Sequence, residues 1–409
     1  MAVNGQIQVF WLAVVLLLLM VGPVRAAESG VNQQLPVRGA HAGLACADCH
    51  SGENQGGQIS VCIDCHADQQ GVLHEAMAHR RSEQAFAAAA FDKYDPQFFE
   101  KNCSSCHVIG CSDCHSGGAH ATARPSREDC HRCHRGYFVG ADYWGLAPRE
   151  DSQRYQRGID VDGEKYLKMR PDVHAEAGLD CGDCHSMASL AAGSPGKGCR
   201  DCHQPDSRII EHRIAAHLER LECYACHAAW GAQEYGSFFL RVADNPMGDI
   251  FQVRREPGSE YLRSAYLKRQ DAPPLGWNAA GRVSPIRPQF IAYYSDLRVG
   301  SKLENVLAAA QWKAYVPHTI RRGTVACDAC HDDPRRFLLE AAERRIYLPD
   351  KDGMTLPSFW DSEGQTLSNG RFFTPEEFAR LSRRSPEYVR SYIEKWKNLV
   401  KHVDTSSER

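Results

Sequence analysis

Cys103-Ser104-Ser105-Cys106-His107-Val108-Ile109-Gly110-Cys111-Ser112-Asp113-Cys114-His115 holds two copies of one pentapeptide, C-x-x-C-H. Toward the N-terminus the same pentapeptide recurs as Cys62-Ile-Asp-Cys65-His66 and Cys46-Ala-Asp-Cys49-His50. Toward the C-terminus it recurs as Cys130-His-Arg-Cys133-His134, Cys181-Gly-Asp-Cys184-His185 and Cys199-Arg-Asp-Cys202-His203. Cys223-Tyr-Ala-Cys226-His227 and Cys327-Asp-Ala-Cys330-His331 complete the set. These are nine motifs in 409 residues, and they use all 18 cysteines.

The spacing has a chemical meaning. Residues i and i+3 share one side of a helical turn. Two thiols placed so can add to the two vinyl groups of one porphyrin, and the next residue, His, reaches the iron. C-x-x-C-H is the signature of c-type haem attachment. A zinc ribbon or a thioredoxin-like site also uses C-x-x-C, but neither demands His after every pair. Disulfides demand no fixed spacing. The expected cofactor is nine covalently bound haem c groups, with His50, His66, His107, His115, His134, His185, His203, His227 and His331 as proximal ligands.

The opening stretch also decides the expected architecture. His107 and His115 are separated by at most about 26 Å even in extended chain, and by about 12 Å in helix. Porphyrins attached there must be neighbours. Outside the leader the chain supplies only about 43 residues per haem, too few for a conventional core around each. The expectation is a mainly α fold with extensive loops, wrapped around a haem stack, with little β-sheet.

Composition agrees with a globular chain. Apolar residues make up 43%, charged residues 24%, and formal net charge is −3. This excludes a disordered or collagenous chain and gives no basic excess for nucleic acid. Residues 1–26 read as an export signal: an apolar run from Phe10 to Val21, a break at Pro23, and a small-residue cleavage site at Val24-Arg25-Ala26. An uncleaved N-terminal anchor is the alternative, because Met1 to Gln8 carries no Lys or Arg. The expected location is the periplasm or beyond it, at the outer membrane or outside the cell. Thiols there must be bonded to something.

A duplication organises the motifs. His41-Ala-Gly-Leu-Ala-Cys46 matches His174-Ala-Glu-Ala-Gly-Leu-Asp-Cys181. In each copy a second motif follows, and then a His pair spaced by five, His74 and His79 or His212 and His217. The expected organisation is an eight-haem region over 27–230, with dihaem units at 41–79 and 174–217 around a three-haem cluster at 103–134. A haem-free segment follows over 231–326, then the ninth haem and C-terminal helices over 327–409.

A haem that only carries electrons usually takes a second His, whereas one that binds substrate keeps an open position. The candidate distal ligands are His41, His74, His79, His120, His131, His174, His212, His217 and His318. His131 sits inside a motif and points away from its own ring. His402 lies in a charged tail and reads as a surface residue. Met77, Met169, Met187, Met247 and Met354 have no motif context.

The segment 231–326 mixes aromatics, among them Tyr261, Trp277, Tyr293, Tyr294 and Trp312, with Pro273-Pro274, Pro285 and Pro288. That mix suggests an ordered, loop-rich cap over the haems. A substrate pocket or docking face there would use Lys302, Lys313, Arg321 and Arg322. Asp333-Pro334 is expected to open a helix through about Arg345. Thr374-Pro-Glu-Glu377 is a capping box. Ser385-Pro386 opens a last helix, whose Val389, Ile393, Trp396, Val400 and Val403 follow helical spacing. That stripe is expected to pack on the body of the protein, with a membrane or partner as the alternative.

The nine motifs make the chain resemble the multihaem c-type cytochromes. Haem density and length are loosely similar to the octahaem tetrathionate reductases, hydroxylamine oxidoreductases and related nitrite reductases. The resemblance implies electron transfer between an upstream donor and a downstream acceptor, with a membrane quinol-oxidising or outer-membrane conduit complex as a candidate partner. It also implies an alternative, an oxidoreductase acting on a small nitrogen or sulfur oxyanion at one haem without a distal His. The pentahaem nitrite reductases mark that haem by Lys in the motif, and this sequence has no C-x-x-C-K. A Lys from elsewhere, Lys302 or Lys313, is the remaining version.

Overall fold

The computed structural model describes residues 41, 43–49, 59–75, 78–79, 81–104, 110–115, 124–131, 157–161, 164–167, 172–242, 260–341 and 366–407. The expected signal at 1–26 lies outside them. So do His50, Cys106, His107, His120, Cys133 and His134, and the side chains of Cys46, Cys49, His131 and His402.

The expectation of little sheet is wrong. Two short strands, β1 (Arg157–Val161) and β2 (Glu164–Leu167), pair antiparallel. A seven-stranded mixed sheet follows, built from β3 (Trp230–Arg241), β4 (Tyr261–Asp271), β5 (Leu275–Asn278), β6 (Val283–Asp296), β7 (Val306–Ala314), β8 (Thr366–Leu367) and β9 (Gly370–Arg371). The segment expected to be a loop-rich cap is therefore most of this sheet. β6 is its hub: it runs parallel to β3 and antiparallel to β5 and β7. The prolines misled because a central strand rarely admits them. Here Pro288 stands at a bulge, where the β6–β7 register shifts between Pro288 and Phe290. Pro285 pairs with Leu275 of the short β5, near the end of β6.

Strand periodicity sorts the aromatics onto two faces. Tyr294 packs on one side with Phe239 and Tyr261, against Phe91 and Phe98 of helices α1 (Arg81–Phe91) and α2 (Phe98–Asn102). The rings of Phe91 and Phe98 stack with centroids 3.7 Å apart. Its neighbour Tyr293 points the other way, into a cluster with Ile286, Ile291, Trp312, Leu338 and Leu367. Burial of these rings supplies most of the core, at about 2–3 kcal/mol per side chain. The buried Asp95 carboxylate accepts from Tyr261 at 2.7 Å and from Lys101 at 3.0 Å, so it is paired as burial requires.

A third cluster joins motif and sheet. Ala225, inside the eighth motif, packs with Leu275, Val283, Phe337 and Phe373. The Glu222 N–H donates to the Val283 carbonyl, and the Ala229 N–H to the Thr319 carbonyl. The sheet thus fixes the eighth motif directly.

The C-terminal expectations divide. Asp333 caps Pro334–Phe337 as expected, but this is one short turn ended by Leu338 in the left-handed conformation, φ 56°, and no helix runs on through the described residues to 341. The capping box at Thr374 and Glu377 forms at the start of α3 (Pro375–Leu381). α4 (Pro386–Ser407) forms as expected. Its apolar stripe does not pack on the body: Val389, Ile393, Trp396 and Val400 are 42–54% exposed. Among the described residues, no helix is long and apolar enough to cross a membrane.

Candidate functional site

Five motifs form one turn closed the same way. The His N–H donates to the first Cys carbonyl at His66, His115, His185, His203 and His331, over 2.9–3.0 Å. An aspartate before the second cysteine tightens three of these turns and the turn of the first motif. Asp48, Asp113, Asp183 and Asp201 accept from the backbone N–H just before the first cysteine, over 2.6–2.9 Å. This local cap was missed in the sequence, although Cys-x-Asp-Cys repeats visibly there. The turn holds both thiols on one side, as the attachment chemistry needs.

The structure brings five motif histidines opposite five non-motif histidines, with ring planes inclined by 32–62°. Ring centroids are 6.0 Å apart for His66 and His41, 5.9 Å for His203 and His174, and 6.3 Å for His185 and His318. They are 6.2 Å apart for His227 and His212, and 6.3 Å for His331 and His217. Stacked rings lie much closer, as Phe91 and Phe98 do. Two imidazoles on opposite sides of one metal ion, each with a metal–nitrogen bond of about 2.0 Å, place their centroids about 6.3 Å apart. The two copies of the duplication use the same pairing: His41 and His174 each skip the first motif and meet the His of the second. The spaced pair of the second copy divides, His212 to the eighth motif and His217 to the ninth.

Four of these ten rings have Nδ1 held by an acceptor. His174 Nδ1 contacts the Asp172 carboxylate at 2.8 Å. Nδ1 of His212, His227 and His331 lies 3.2, 3.3 and 2.7 Å from the carbonyls of Asp206, Arg321 and Leu381. Such bonds fix the tautomer so that Nε2 is free to ligate. Burial, then the charge of His331, hold the His217 pKa below its ordinary value. Burial does the same for His227. Both shifts favour the neutral ring, the form that binds a metal ion.

Among the described residues, the buried polar atoms without a hydrogen-bond partner include Nδ1 of His79, Nδ1 of His217 and Nε of Arg321. His79 and His217 are equivalent positions of the two copies. Arg321 adjoins His227, which its carbonyl contacts. Natural interiors rarely leave such groups unpaired. A group carrying carboxylates beside Arg321 would satisfy the guanidinium.

Motif cysteines also meet each other. Thiols of Cys62 and Cys111, of Cys130 and Cys181, and of Cys199 and Cys223 are hydrogen-bonded. The bond from Cys199 pulls Cys223 down to about 6, and the bond from Cys181 pulls Cys130 down to about 7. Cys226 is pushed up to about 12, first by burial and then by the neighbouring Cys330. Motifs seven, eight and nine therefore form one continuous row. Arg336, only 3% exposed, lies in this row; it donates to the Ala225 carbonyl at 2.8 Å and to Cys330 Sγ at 3.3 Å.

Other candidates are not gathered. His74 is exposed on its 3-10 turn, and Lys302 is exposed in the loop between β6 and β7. Lys313 lies on β7 opposite Arg287. Among the described residues no group of three or more His, Cys, Asp or Glu could hold a metal ion. Comparison with family models, with curated proteins and with solved structures finds no match to this chain.

Proposed function

We propose that this chain is an exported electron-transfer protein carrying covalently bound haem c at its nine C-x-x-C-H motifs. The observation that carries the reading is the set of five imidazole pairs at 5.9–6.3 Å, each joining a motif His to a non-motif His. Two ligands from the chain are too few for zinc, which takes three or four. They are the right number for an ion that already has four equatorial nitrogens from a porphyrin.

The bound group supplies an iron that takes up and releases one electron. The chain's own residues do the rest. With haem attached, His41, His174, His212, His217 and His318 would supply the second ligand at the second, seventh, eighth, ninth and sixth motifs, which would favour transfer over substrate chemistry there. Asp172 and the carbonyls of Asp206, Arg321 and Leu381 orient the imidazoles. Cys199 beside Cys223, and Cys226 beside Cys330, would hold successive attached groups close together. The proposed partners are a donor and an acceptor protein on the periplasmic side.

Low-temperature EPR of the oxidised, exported protein tests this. Low-spin ferric signals, with the His318→Ala variant gaining one high-spin signal, are the expected result. Absence of any haem signal would overturn the reading.

A further inference from the structure

α4 turns its tyrosines inward and its aliphatic stripe outward. Tyr388 and Tyr392 donate toward the Asp328 carboxylate at 3.4 and 3.2 Å, and Lys395 pairs with Glu211. Arg213 pairs with Glu394 at 2.6 Å. These contacts hold the helix against the ninth motif, with the Tyr388 ring 4.9 Å from that of His331. Val389, Ile393, Trp396 and Val400 follow one another at spacings of four, three and four residues, and all face solvent. With Leu399 they are 42–54% exposed. At 100° per residue, Arg390, Lys397 and Lys401 fall along one flank of this stripe, and all three are exposed.

We infer that this face of α4 docks on an anionic membrane surface. A solvent-facing stripe of Trp, Ile and Val bordered by Arg and Lys is the composition of a helix that lies in the plane of a lipid interface. Trp favours the headgroup level, and the basic flank complements anionic headgroups. A protein partner would also accept apolar contact, but the basic flank beside an indole favours lipid. The helix reaches the surface with the ninth motif directly beneath it, so the last group of the row lies at the membrane. That final placement rests on the haem reading; the docking does not.

Flotation of the purified holoprotein with vesicles tests it. Vesicles of phosphatidylcholine alone and of phosphatidylcholine with phosphatidylglycerol are compared at low and high salt. The expected result is binding to the anionic vesicles that weakens with salt. The double variant Ile393→Asp, Trp396→Asp should lose at least about tenfold in partitioning while keeping its far-ultraviolet circular dichroism. Lys397→Gln with Arg390→Gln should weaken binding to anionic vesicles only. No flotation, or equal flotation of the stripe variant, would overturn the proposal. So would sedimentation showing a dimer that the stripe variant converts to monomer. A protein that floats but contains no haem contradicts the proposed function alone. One that contains haem and does not float contradicts the docking alone.

Discussion

Asp172 holds His174 from two directions: its carboxylate lies 2.8 Å from Nδ1 and accepts the His174 backbone N–H at 2.8 Å. The other carboxylate oxygen accepts the Ile320 N–H at 2.5 Å. One buried acid thus ties the short helix bearing His174, Val173–Glu176, to the strand exit bearing His318. Asp172→Ala should lose about 2–4 kcal/mol, because it strands two backbone donors. It should also change the low-spin signal of the site at His203. Urea unfolding and EPR on the same sample check both parts.

The distal assignments are individually testable. His41→Ala, His174→Ala, His212→Ala, His217→Ala and His318→Ala should each convert one low-spin ferric haem to high spin. Each should affect a different motif, those of His66, His203, His227, His331 and His185 respectively. His402→Ala should convert none. Two variants acting on one haem would contradict the pairing.

Arg336 brings a positive charge close to the attachment positions of the eighth and ninth motifs. A buried cation favours the reduced, less positive iron. Arg336→Met should lower the midpoint potential of one or two haems, on the order of tens of millivolts. It should also cost about 1–3 kcal/mol, because the Ala225 carbonyl loses its donor. A redox titration with unchanged potentials would contradict the tuning role.

Glu377 links α3 to the sheet. It pairs with Arg371 at 2.8 Å and accepts from the Thr374 N–H at 3.0 Å. The Arg371 guanidinium is the main cause that pulls its carboxyl down to about 2, from the ordinary 4.5. A depressed carboxyl stabilises the folded state fully above its unfolded value and loses that contribution as pH falls through the folded one. Wild type should therefore lose an increment between about pH 4.5 and 2 that Glu377→Gln lacks. At neutral pH the variant should be less stable by about 1–2 kcal/mol. Thermal melts across that range measure the difference.

Local chemistry was legible in the sequence, and long-range chemistry was not. The motif turns, the capping box at Thr374 and the opening of α4 at Pro386 depend on residues within five positions of each other. The duplication also carried real information, since His41 and His174 behave alike. The sheet was hidden because Pro285 and Pro288 look like loop residues until β5 and the bulge on β6 accommodate them. His318 meets His185 only because β7 returns the chain to that side of the fold. The stripe on α4 has helical spacing whether or not anything covers it; the spacing alone could not show that Tyr388 and Tyr392 take the inward face.

Intact mass of the exported protein under denaturing conditions tests the central claim most directly. The account predicts a covalent gain of nine haem groups and no cysteine reactive toward alkylation. A mass equal to the bare polypeptide, with free thiols, cystines or co-purifying zinc, would contradict it.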